Sequence, residues 1–179
     1  MNDHRQQRTV LVGFGANIEP ERNLIEGLER LHQAVGLQAI STVYQTAPIG
    51  CKPGTPPFYN GAVSFDTSLP AHQLRRLLRE VESAQGRQRT TDRNASRPLD
   101  LDLLLIADQV VDDAELQIPD PEILQRPFLA LPIAELAPQM IHPLERCTLA
   151  VIAQRCTWDP KQMQPLQQLT KRLQQLLGG

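Results

Sequence analysis

Two aspartates one residue apart, Asp100 and Asp102, open the run Arg97-Pro-Leu-Asp-Leu-Asp-Leu-Leu-Leu-Ile106. Read as a β-strand, the run alternates between the two faces of a sheet. Leu99, Leu101, Leu103 and Leu105 share one face and read as core. Asp100 and Asp102 share the other, followed by Leu104 and Ile106. The carboxylates then stand roughly 6–7 Å apart along the strand. They repel, and desolvation drives at least one toward its neutral form. A divalent cation removes that conflict, and Mg²⁺ suits carboxylates completed by water and phosphate oxygens. Taken alone, an Asp-x-Asp reads more simply as two solvated carboxylates at a sheet rim.

The residues just before it shift that balance. Arg87, Arg89, Arg93 and Arg97 fall within eleven positions that hold few apolar anchors. By itself such a run is a solvated, mobile basic loop. Ahead of two carboxylates that want a cation, it supplies the rest of a phosphate clamp. Guanidinium forks match phosphate oxygens, and a metal neutralises the transferred group. No Gly-x-x-x-x-Gly-Lys-Ser/Thr occurs in the chain, so the design is not a P-loop.

The elements that must position these groups follow from periodicity. Residues 9–15 read as a strand ending in glycines that let the backbone turn or approach a ligand closely. Leu24, Leu28, Leu31 and Val35 recur at helical spacing over residues 23–35, with Gly36 as a stop. Residues 37–46 read as a strand, residues 47–57 as a Pro/Gly-rich loop, and residues 58–65 as a third strand. A helix over 69–85 precedes the aspartate strand, and a short strand at 109–111 hangs off it. Helices are expected over 128–136, 149–155 and 161–177. The order β-α-β-β-α-β predicts a ferredoxin-like α+β sandwich, an antiparallel sheet covered on one side by two helices.

At 179 residues with 41% hydrophobic and 21% charged content, the chain reads as one domain over 1–179. Residues 1–8 are expected to be a flexible arm and 145–179 a C-terminal helical extension, with Trp158 anchoring it. A net charge of −2 offers no global attraction for nucleic acid or an anionic membrane, so any anion binding must be local. Exposed aromatics are not interleaved along the strands, which argues against an RNA-binding sheet. Cys51, Cys147 and Cys156 lack metal spacing and read as reduced thiols of a cytoplasmic protein.

Several ordered motifs resemble the 6-hydroxymethyl-7,8-dihydropterin pyrophosphokinases of folate biosynthesis. They are Gly15-Ala-Asn17, Ser41-Thr-Val-Tyr-Gln-Thr-Ala-Pro-Ile-Gly50, Phe58-Tyr-Asn-Gly-Ala-Val63, Glu82-Ser-Ala-Gln-Gly-Arg87 and Arg97-Pro-Leu-Asp-Leu-Asp102. A last stretch runs from Ile118-Pro-Asp-Pro to Pro138. The resemblance implies transfer of the β,γ-diphosphate of ATP to the pterin's hydroxymethyl oxygen, releasing AMP. It implies two Mg²⁺ ions on Asp100 and Asp102, with Arg87 and Arg97 completing the catalytic set. Glu82, Arg87, Arg97 and Arg126 would bind ATP, with Arg89 and Arg93 as further candidates. Thr46, Pro48, Gly50, Phe58, Asn60 and Phe128 would bind the pterin, the two phenylalanines by stacking and Asn60 at the polar edge. Both phenylalanines are equally readable as core. The implied partners are small molecules, with no nucleic acid and no membrane, and the implied state is a monomer.

The sequence departs from that pattern on the nucleotide side. Asp120 stands where a histidine is usual, Asn94 where many members have tryptophan, and Thr90 where a basic residue is common. A carboxylate beside a triphosphate weakens binding unless a metal or arginine intervenes. An ordinary enzyme, a paralogue with altered substrate and a pterin-binding protein without efficient ATP use all remain open here.

Overall fold

The computed structural model describes residues 7–48, 50–88 and 95–178. Strand β1 (Arg8–Ala16) forms the centre of an antiparallel sheet between β4 (Phe58–Thr67) and β5 (Asp100–Ile106). Outward from β4 lie β3 (Tyr44–Thr46) and β8 (Met163–Pro165), while β2 (Ala39–Ile40) pairs further along β4. Helices α1 (Pro20–Val35), α2 (Ala71–Ala84) and α5 (Gln167–Gln174) cover one face. Helices α3 (Pro127–Leu136) and α4 (Leu149–Arg155) cover the other. This is the ferredoxin-like α+β fold expected from the element order, but helices cover both faces of the sheet where one covered face was expected. The reason is visible in β1: Val10, Leu11 and Val12 are all buried, as in a strand covered on both faces.

Helix α1 begins three positions before the expected start. Pro20 is pre-set for the first helical turn, and Gly36 closes the helix in a left-handed conformation at φ 69°. The expected strand over 37–46 is broken in two. Ile40 faces Val63 and Tyr44 faces Asn60, so four steps on one strand match three on the other. Ser41 fills the resulting bulge, its hydroxyl accepting the Ala62 N–H at 2.8 Å.

Strand β5 carries a second irregularity. Leu11 pairs with Leu105, and Val12 with Leu103. Leu104 is therefore extra, and the alternation reverses after it. Leu99, Leu101, Leu103 and Ile106 enter one core, whereas Leu104 and Leu105 enter the other, which corrects the face expected for Leu105 and Ile106. Asp100 and Asp102 precede the bulge and keep a common face.

Two further expectations are corrected. Residues 161–177 do not form one helix. Pro165 lacks an N–H and does not fit a helix interior, so residues 163–165 join the sheet as β8 and α5 starts after them. The short strand near 109–111 is β6 (Val111–Asp112), which pairs with β7 (Gln117–Ile118) in a separate two-stranded ribbon.

Candidate active site

Cross-strand pairing sets the floor of one cleft. Gly15 in β1 lies between Asp100 in β5 and Asn60 in β4, and Gly13 lies between Asp102 and Ala62. Paired residues of an antiparallel sheet point to the same face. The aspartates thus flank two positions without side chains, and Asn60 stands beyond them. A Cβ at Gly15 would sit 2.5 Å from the Asn60 side-chain oxygen, so only glycine leaves that floor open.

Over this floor lies a cleft of about 700 Å³. Arg87, Arg97, Asp100, Asp102, Arg126, Thr46, Phe58, Asn60 and Phe128, all expected as site residues, line it. Ala47, Cys51, Ser96, Asp120 and Glu122 complete much of the wall. Phe58 and Phe128 are only partly buried and line the cleft, Phe128 also packing against the core beneath α3. Pro48 and Gly50 lie in the neighbouring loop and do not line it. Glu82 is 1% exposed and stands behind the wall, not at its surface as expected of a nucleotide contact. Arg89, Thr90, Arg93 and Asn94 lie outside the described residues.

Charge is arranged in a chain along β5. Arg87 pairs with both Glu82 and Asp100, and Arg97 Nη1 reaches the second Asp100 oxygen at 2.6 Å. The Arg97 guanidinium also lies over the Phe58 ring, 5.3 Å from its centroid. Burial works against the charge of Arg87, but Asp100 and Glu82 outweigh it and hold the guanidinium above its ordinary pKa. Asp102 is exposed at the cleft. The protein packed around its base, with the carboxylates of Asp100, Asp120 and Glu82, pushes its pKa up, while Arg87 opposes the shift.

Asp120 is held beside this floor by its backbone. Its N–H donates to the Leu104 carbonyl at 2.8 Å, and its carboxylate accepts the Glu122 N–H at 2.8 Å, capping the turn that follows. Burial raises its pKa, against the Glu122 N–H bond and with the Glu122 carboxylate. Arg126, at the start of α3, lies 3.8 Å from the Glu122 carboxylate.

Sequence reasoning gave no role to Asn17. It is buried, accepts the Arg97 N–H at 2.8 Å and donates to the Ser96 hydroxyl at 3.0 Å. Its own N–H donates to the Arg97 carbonyl at 3.1 Å. These bonds fasten the base of the arginine segment to the end of β1. The signal was its place in Gly15-Ala-Asn17, directly after the strand's glycines.

The donor set fits a cation that arrives with a polyphosphate. Asp102 sits in surplus negative charge, and Asp100 is engaged by guanidiniums that a phosphate chain would attract away. No group of three acidic, histidine or cysteine side chains among the described residues forms a self-contained metal cage.

A family model described as 7,8-dihydro-6-hydroxymethylpterin-pyrophosphokinase (HPPK) matches residues 11–138. The chain belongs to this family. A Pseudomonas aeruginosa 2-amino-4-hydroxy-6-hydroxymethyldihydropteridine pyrophosphokinase is 36% identical over 75% of this chain and 83% of its own length. The Synechocystis enzyme of the same name is 32% identical over 86% of this chain and 80% of its own. A Dictyostelium discoideum folic acid synthesis protein is 29% identical over 79% of this chain, which spans only 22% of that longer protein. A Plasmodium falciparum HPPK-DHPS crystal structure with pterin and p-hydroxybenzoate shares the fold, with TM-score 0.62 and 14% identity. It covers 87% of this chain, which spans 42% of that one. The HPPK domain is thus found alone and within larger chains, and the relatives named as pyrophosphokinases make the family one of diphosphate transferases.

Proposed function

We propose that the protein transfers the β,γ-diphosphate of ATP to the hydroxymethyl oxygen of 6-hydroxymethyl-7,8-dihydropterin, releasing AMP, as a step of folate biosynthesis. The observation that carries this reading is one cleft holding Asp100 and Asp102 beside Arg87 and Arg97, with Phe58, Asn60 and Phe128 on its walls. Asp100 and Asp102 would hold two Mg²⁺ ions, which would supply charge neutralisation on the triphosphate. Arg87, Arg97 and Arg126 grip phosphate oxygens and orient the chain for in-line attack. Phe58 and Phe128 stack on the pterin, and the Asn60 amide offers a donor and an acceptor to its edge. The hydroxymethyl oxygen bonds to the β-phosphorus, the bond to the α-phosphate oxygen breaks, and the hydroxyl proton passes to Asp102 or to water. Asn17 fastens the backbone of Arg97, which keeps that guanidinium beside the phosphates.

The same reading makes the protein a cytoplasmic monomer. No disulfide joins the cysteines among the described residues, and no helix among them is long and apolar enough to cross a membrane. A pterin-binding protein with poor ATP use draws support from Asp120, which adds a carboxylate next to Asp102. AMP production with ATP, Mg²⁺ and the dihydropterin separates the two. Pterin-dependent AMP that vanishes in Asp100→Ala/Asp102→Ala supports the transferase. Pterin binding without AMP refutes it.

A further inference from the structure

We propose that Glu82 is a positioning residue of the transfer reaction: it acts through Arg87 and the backbone between the two aspartates, and does not touch the nucleotide. The inference rests on the proposed function. Glu82 lies in the last turn of α2, its side chain 2% exposed. Its Oε1 accepts the Leu101 N–H at 2.8 Å and pairs with the Arg87 guanidinium. Leu101 is the residue between Asp100 and Asp102. Among the described residues β5 ends the sheet, so this N–H meets no further strand on its outer side, and Glu82 supplies the acceptor. A single oxygen therefore fixes both the peptide that carries the metal-binding aspartates and the arginine that grips one of them.

The choice of a carboxylate has a physical consequence. A neutral acceptor would satisfy the Leu101 N–H, whereas a buried charge costs desolvation unless a cation offsets it. Arg87 is that cation, and it is shared with Asp100. When Asp100 turns to a metal, Glu82 keeps Arg87 anchored at the cleft wall through Nη1, leaving its other N–H groups available to phosphate oxygens. With Glu82 neutral, Arg87 would bear more strongly on Asp100 and compete harder with the cation. The carboxylate of Glu82 thus sets how readily Asp100 is released.

Glu82→Gln tests this, because the amide oxygen still accepts the Leu101 N–H while the charge is gone. The expected result is a kcat roughly ten- to hundredfold lower, the range typical of residues that orient metal ligands. The Mg²⁺ concentration for half-maximal rate should rise, with ATP and pterin affinities by calorimetry unchanged within about twofold. In an Arg87→Ala background the same substitution should add almost nothing, since the two residues act as one unit. Glu82→Asp is the second variant: it keeps the charge but is too short to hold both partners, and should also lose kcat without losing ATP affinity. Weaker ATP binding with kcat intact in these variants would make Glu82 a nucleotide contact and overturn the proposal. So would unchanged kcat and Mg²⁺ dependence. If the wild-type protein forms no AMP, the functional reading fails separately. The calorimetric arm still decides whether Glu82 touches ATP.

Discussion

Replacing Gly15 by alanine puts a single methyl group into the middle of the cleft floor. The Cβ would lie 2.5 Å from the Asn60 Oδ1 and 3.7 Å from its Cγ, so the first contact is impossible without movement. The Gly15 backbone lies within a regular strand, and the whole cost falls on Asn60. The Asn60 amide must rotate away, breaking the 2.7 Å bond from its Nδ2 to the Thr46 hydroxyl. Asn60 and Thr46 are both buried, so the loss leaves polar groups poorly satisfied at a cost of about 1–3 kcal/mol. For a domain of this size that lowers Tm by about 2–12 °C. The displaced amide is also the group proposed to read the pterin edge. At 1.4 kcal/mol per decade, affinity should fall about fivefold to a hundredfold. Gly13→Ala is the matched control. Its Cβ would meet Leu104 Cδ1 at 3.1 Å and Leu129 Cδ2 at 3.3 Å, the far ends of flexible side chains. That variant should lose less than about 1.5 kcal/mol of stability. Calorimetric titration with the dihydropterin and thermal melting of both variants make the comparison. Gly15→Ala binding the pterin within twofold of wild type would refute the role of Asn60.

Two other substitutions probe the charges around the floor. Asp102 has its folded pKa raised above the ordinary 3.8, so between that value and the folded pKa the unfolded chain ionises first and stability falls as pH rises. Asp102→Asn should therefore abolish AMP formation yet melt higher than wild type near neutral pH, by a margin that shrinks toward pH 3.8; a margin independent of pH would contradict the raised pKa. Arg97 covers the Phe58 ring, a contact worth about 0.5–1 kcal/mol that a heterocycle stacking on that face must displace. Arg97→Ala should bind the dihydropterin alone about two- to fivefold more tightly while turnover collapses; weaker binding in the absence of nucleotide would place the ring elsewhere.

The period-two pattern of 97–106 was enough to put Asp100 and Asp102 on one face, because the irregularity in β5 comes after them. It was not enough for Leu105 and Ile106, whose faces depend on an extra residue opposite Leu11 and Val12. Nothing within β5 itself announces that mismatch. The Gln- and Leu-rich segment after 161 has a helical period, yet Met163 is buried and pairs opposite Thr46, and Pro165 already marked the start as unsuited to a helix. The element order led to one covered face, and the second appeared only with α3 and α4, although the unbroken apolar run Val10-Leu11-Val12 fits a strand buried on both sides.

The sequence by itself determined the family, the element order and the chemical kinds of group available, since these depend on residue types and spacings along one chain. Tertiary structure decided which groups meet. Arg87 and Asp100 are thirteen positions apart and Asn17 and Arg97 eighty, and only strand pairing and the packing of α2 on β5 bring them together. Glu82 shows the physical reason most plainly. A carboxylate that opens a six-residue motif looks like a ligand contact in the sequence, but in the fold the N–H of Leu101 and the Arg87 guanidinium converge on it away from solvent.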